Sequence, residues 1–136
     1  MPITVRTTVA APIATVWEAY TTPADIVQWN AGSDDWHTTA AHVDLRVGGS
    51  FSSRMEAKDG SFGFDFAGTY TAVTTHRLIA YSFGDRTARI EFTDEPRGVT
   101  VVVTFDAETT HPVEQQQAGW QAILDNFKRY AESRSV

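Results

Sequence analysis

The sequence predicts an α+β fold: a curved antiparallel sheet of about seven strands wrapped around one long C-terminal helix, with two short helices after the first strand. Three observations carry this. Only the last stretch, His111 to Arg134, repeats apolar residues at three- and four-residue spacing over more than five turns. The middle of the chain is a series of short runs that alternate with period two, the signature of half-buried strands. The connections between those runs are short, so neighbouring strands pair antiparallel.

Ile3, Val5, Thr7 and Val9 alternate with polar residues and form the first strand. Ala11-Pro12 opens a helix with Ile13, Val16, Trp17 and Tyr20 on one face. Thr22 and Asp25 have the spacing of a capping box for a second short helix carrying Ile26, Val27 and Trp29. Asn30 to Asp35 has loop composition. His42 to Val47 reads as a strand leading into a Gly48-Gly49 turn, and Phe51, Ser53 and Met55 mark the next strand. Asp59-Gly60 is a two-residue hairpin signal. Phe62, Phe64, Phe66, Gly68 and Tyr70 then share a face of a long strand. Leu78 to Phe83 follows, then Ala88, Ile90 and Phe92, then Val99, Val101, Val103 and Phe105. In the terminal helix Pro112 suits the first position. Val113, Gln116 or Gln117, Trp120, Ile123, Leu124, Phe127 and Tyr130 line one side. Gly119, beside Trp120, reads as room for close packing.

Composition narrows the function classes. A chain of 136 residues is expected to be one domain, residues 1-136, with a real core. A net charge of −6 and the absence of any basic run speak against nucleic acid and against an anionic membrane surface. The chain has no cysteine, which removes disulfides, thiolate metal sites and cysteine nucleophiles. The N-terminus lacks the pattern of a secretion signal and no run spans a membrane, so a cytoplasmic location is expected.

The order of elements resembles the START-like superfamily (helix-grip, SRPBCC, Bet v-type). Within it the chain is similar to bacterial stand-alone domains related to the activator of the 90-kDa heat-shock protein ATPase. The matching residues are Val16-Trp17-Glu18-Ala19, Ile26-Val27-Gln28-Trp29, Asp44 to Phe51, Met55 to Gly60, Arg77-Leu78, Gly119-Trp120 and Ile123 to Phe127. Two positions depart from the family pattern: Asn30-Ala31-Gly32 follows Trp29, and Thr74-Thr75-His76 precedes Arg77-Leu78. The resemblance implies a cavity between the long helix and the concave sheet, for a small hydrophobic ligand of aromatic or lipid-like character.

Residues expected to face that cavity are Phe51, Met55, Phe64, Phe66, Tyr70, Trp120, Leu124 and Phe127, with Trp29 and Trp36 at its mouth. Tyr70, Tyr81 and the Trp120 ring N–H would supply polar contacts. The competing reading is that these side chains fill a solid core. His37 and His42 near Asp34, Asp35 and Asp44 lack metal-ligand spacing, so neither metal nor cofactor is implied. Strand alternation places Arg54, Glu56, Asp65 and Arg89 outward, and no GxSxG elbow or phosphate loop occurs, so binding is preferred over catalysis. The alternatives are a co-chaperone-like domain, whose partner is a chaperone or a second copy of the chain, and an aromatase/cyclase-like enzyme.

Overall fold

The computed structural model describes residues 2–134. Seven strands form one antiparallel sheet: β1 (Pro2–Val9), β2 (Trp36–Val43), β3 (Ser50–Ala57), β4 (Gly63–Thr74), β5 (Leu78–Phe83), β6 (Arg86–Glu95) and β7 (Gly98–Asp106). Helices α1 (Ile13–Thr21) and α2 (Pro23–Trp29) lie between β1 and β2, and α3 (Val113–Arg134) ends the chain. The spatial order β1-β7-β6-β5-β4-β3-β2 makes β1 and β2 the edges of a curled half-barrel around α3.

The inward residues are the ones the alternation marks. Val99, Val101, Val103 and Phe105 of β7, and Ala88, Ile90 and Phe92 of β6, are all buried, as are Leu124, Phe127 and Ala131 of α3. Two irregularities bend the sheet: the register shifts between Thr38 and Ala40 in β2, and between Tyr70 and Ala72 in β4. An extra residue at Thr71 curves β4 locally and changes which parity faces inward beyond it.

The polar side of α3 has a task that periodicity does not reveal. β1 is an edge strand, and side chains from successive turns of α3 bond its free backbone groups. The Gln117 amide donates to the Thr4 carbonyl (3.3 Å), and that of Gln121 to the Arg6 carbonyl (3.0 Å). The Lys128 ammonium reaches the Thr8 carbonyl (2.9 Å), while Glu132 accepts from the Ala10 N–H (2.8 Å). The exposed edge is thereby covered rather than left as a template for another chain.

Several local expectations are corrected. The second strand begins at Trp36 and stops at Val43. Residues 44–49 form a loop in which Gly48 N–H donates to the Tyr70 carbonyl and Tyr70 N–H to the Gly49 carbonyl, each at 2.9 Å. The β3–β4 connection takes five residues, 58–62, so Phe62 belongs to a loop and is 62% exposed. Pro112 precedes α3 as the residue whose carbonyl takes the first helical N–H bonds, from Gln115 and Gln116. Val113 is exposed, and Gln116 is the inward residue of the first turn, bonded to the backbone of Glu108 and His111. Thr22 does cap α2 but only through its backbone. The Asp25 carboxylate is taken instead by the Tyr130 hydroxyl and by Arg134 at 3.4 Å, which ties α2 to the end of α3. A Cβ on Gly119 would meet nothing within 4 Å, so that glycine does not serve close packing.

Candidate functional site

A cavity of about 230 Å³ lies between α3 and the concave face of the sheet. Its floor is β3, β4 and β5: Phe51, Ser53 and Met55, then Phe64, Phe66 and Tyr70, then Ile79 and Tyr81, with Val103 of β7. Trp120, Ile123 and Leu124 of α3 form the roof. Tyr20, Ile26, Trp29 and Asn30 close one end, and His42 and Val43 stand at the β2 rim.

Local structure explains each wall. Gly68 of β4 faces Phe51 across the strand pair, and a Cβ there would come within 2.8 Å of the phenyl ring and 2.3 Å of the Ser82 carbonyl. The missing side chain lets the Phe51 ring lie flat on the sheet, where it contacts Tyr81 at 4.7 Å and Tyr70 at 5.2 Å between centroids. Trp120 is stacked on Phe105, with centroids 3.9 Å apart and planes 10° from parallel, so the roof is rigid at that point. Asn126 donates to the Ala31 carbonyl and the Thr38 hydroxyl to the Asn30 carbonyl (2.6 Å), which straps the loop after α2 to α3 and β2.

Of the residues expected to meet a ligand, Trp29, Phe51, Met55, Phe64, Phe66, Tyr70, Tyr81, Trp120 and Leu124 line the cavity. Trp29 is a buried wall rather than a gate, because its indole N–H donates to the Ala19 carbonyl at 2.9 Å. Trp36 and Phe127 stand outside the lining. Trp36 packs on Phe62 and Phe64 at the tip of the β3–β4 hairpin, with centroids 6.0 Å apart in each case. Phe127 is fully buried against Tyr20 (5.0 Å) and Trp29 (4.9 Å) and fills the core. Sequence reasoning passed over Tyr20, Ser53, Ile79, Val103 and Ile123, all of which continue faces it had drawn. His42 and Asn30 carried no such signal.

The electrostatics are those of a neutral chamber. Among the described residues no Asp, Glu, Lys or Arg lines it, and Arg54 pairs with Glu56 and Asp65 on the outer face. Burial pushes the phenols of Tyr20 and Tyr81 well above their ordinary range, and neighbouring tyrosines push them further. Burial, and then the Asp44 carboxylate, raises Tyr70 to about 12. All three remain protonated hydrogen-bond donors at any physiological pH. Among the described residues no three His, Asp or Glu side chains converge as metal ligands would.

A half-barrel gripping a long helix, with an apolar chamber between them, defines a helix-grip protein of the START-like type. The family model for "Activator of Hsp90 ATPase homolog 1-like protein" matches residues 10–132, and the chain belongs to that family. It is 50% identical to an AHSA1-like protein from Aeromonas hydrophila, with a TM-score of 0.92 over 98% of this chain and 94% of that one. A protein from Cytophaga hutchinsonii is 49% identical, with a TM-score of 0.83 over 97% of this chain and 92% of that one. One from Nitrosomonas europaea has the same fold at 20% identity, with a TM-score of 0.86 over 98% and 96%. Among proteins with curated descriptions, none matches the chain. No helix among the described residues is long and apolar enough to cross a membrane.

Proposed function

We propose that residues 1-136 form one binding domain that holds a small, mainly hydrophobic molecule in the chamber between α3 and the sheet. The observation that carries this is the chamber itself: about 230 Å³ of space walled by aromatic and aliphatic side chains, with a few polar groups on the lining. Packed cores contain few voids larger than a water molecule, so space of this size supports a binding role. Catalysis has weaker support. The titratable groups on the lining are three phenols that hold their protons and one rim imidazole, and none of the phenols is poised as a base near neutral pH.

Native mass spectrometry of freshly purified protein, followed by titration with the neutral two-ring fluorophore 1-aminonaphthalene, tests this reading. A co-purified small molecule, or saturable binding of the probe at one site, is expected. A bare mass together with no saturable binding would remove the reading.

The co-chaperone reading is kept for one observation. Trp36, Phe62 and Phe64 form a partly exposed aromatic cluster on the β3–β4 tip, with Phe62 62% and Phe64 40% exposed, a type of surface that partner proteins use. If it acts on a chaperone of the class in the family's description, the chain should raise that chaperone's ATPase rate and Phe62→Ser should abolish the effect.

A further inference from the structure

Three tyrosines meet in the chamber. Tyr70 and Tyr81 are directly paired across β4 and β5, and Tyr20 reaches the same space from α1. A Tyr70 phenolate would disfavour ionisation of both Tyr20 and Tyr81, and a Tyr20 phenolate that of Tyr81. None of the three is hydrogen-bonded to a described residue, and among the described residues no enclosed side-chain oxygen lacks a partner, so each hydroxyl keeps some accessible surface, and all three residues line the chamber. A phenol that keeps its proton has one hydrogen bond to donate. Even if the three bond to one another in a chain, one proton is left over for an acceptor on whatever fills the chamber.

Charge and size limit that occupant further. The lining holds no counter-charge, and the one carboxylate near Tyr70, on Asp44, is already answered by Arg46 at 3.0 Å. An ionised ligand would lose its hydration with no Asp, Glu, Lys or Arg on the lining to pair with its charge. Eight of the eighteen lining residues are aromatic, which favours a flat ring system over a flexible chain. At about 230 Å³ the space falls below the ~300 Å³ at which drug-sized sites begin, so one or two rings fit.

Resting on the binding reading above, we propose that the chamber takes a neutral one- or two-ring aromatic compound bearing a carbonyl oxygen, held with that oxygen at the hydroxyls of Tyr20, Tyr70 and Tyr81. A carbonyl has two lone pairs, so it accepts two of these donors without adding a proton to a site already rich in them.

The test compares isosteres by isothermal titration: 2-acetonaphthone, 2-ethylnaphthalene, 2-naphthoate and (2-naphthyl)trimethylammonium. The ketone should bind about three- to tenfold tighter than the hydrocarbon, the usual size of one net hydrogen bond, and tighter than either ion. In Tyr20→Phe, Tyr70→Phe and Tyr81→Phe, shown to be folded by thermal denaturation, that preference should shrink toward parity while hydrocarbon affinity holds. A variant that fails to fold leaves the other two to decide. Equal binding of ketone and hydrocarbon to the native protein overturns the tyrosine assignment and leaves the chamber as a binding site. Tighter binding of either ion, or a preference that survives all three substitutions, also overturns it. No binding of any of the four overturns both readings.

Discussion

Replacing Phe66 by Trp separates an open chamber from a solid core. Phe66 projects from β4 between the floor and the roof, with ring centroids 5.4 Å from Phe83 and 6.2 Å from both Tyr81 and Trp120. The larger indole must take up space on the chamber side, because the other sides are occupied by those rings. A bound ring displaced from roughly 60 Å² of apolar wall loses about 1.5 kcal/mol, at about 25 cal/mol per Å². That is about tenfold in affinity. Probe affinity is read by 1-aminonaphthalene fluorescence, and stability by urea denaturation of the ligand-free protein. The account expects affinity to fall about tenfold while stability stays within about 1 kcal/mol of the native chain, since the void accepts the added ring. Overpacking a filled core would instead cost about 1–3 kcal/mol. Loss of stability on that scale, or unchanged affinity in a folded variant, would refute the reasoning.

Other outcomes follow from the same packing. Gly119→Ala should stabilise the chain by about 1 kcal/mol and raise Tm by roughly 3–5 °C, because the methyl meets no atom and the helix gains propensity; a fall in Tm would contradict this. Phe127→Ala, at a fully buried position, should cost about 3–5 kcal/mol, whereas Phe64→Ala, 40% exposed, should cost about 1 kcal/mol; urea midpoints compare them. All four tyrosines are held above their ordinary pKa, so at pH 10 the folded protein should show less phenolate absorbance at 295 nm than the unfolded chain. Unfolded tyrosines do ionise from pH 10 upward, so protons are held more tightly in the fold and stability should decline as pH rises beyond that point. Phenolate absorbance in a folded sample at pH 10 equal to that of the unfolded chain would show that the chamber is wetter than described.

The sheet was legible because most strands keep one wet face. From Ala88 to Phe92 in β6 and throughout β7, every second residue is buried and its neighbours are not. The misread boundaries fall where a side chain or backbone group answers a distant partner. Asp44, Leu45 and Arg46 look like a continued strand, but the Gly48-Gly49 backbone is committed to Tyr70 of β4, so β2 ends early. The capping-box spacing of Thr22 and Asp25 was overridden by Tyr130 and Arg134, over a hundred residues away. Gln117 and Gln121 of α3 cover the β1 edge, a task that helical periodicity does not reveal.

The site was legible only in part, and for a related reason. Alternation finds which side chains point into the bowl: Phe51, Met55, Phe66, Tyr70 and Tyr81 were found in that way. It cannot say which inward residues leave space and which fill it. Phe127 and Leu124 lie three apart on one helix face, yet the first plugs the core between Tyr20 and Trp29 while the second borders the chamber. The Thr71 bulge, too, has no sequence signal, although it lies directly beside Tyr70.

The most direct measurement is an NMR search for intermolecular NOEs between the aromatic protons of 2-acetonaphthone and the protein's methyl groups at saturation. The account predicts contacts to Met55, Ile79, Val103 and Leu124, which face one another across the chamber. Contacts confined to the exposed Val47 or Val113, with those interior methyls silent, would contradict it.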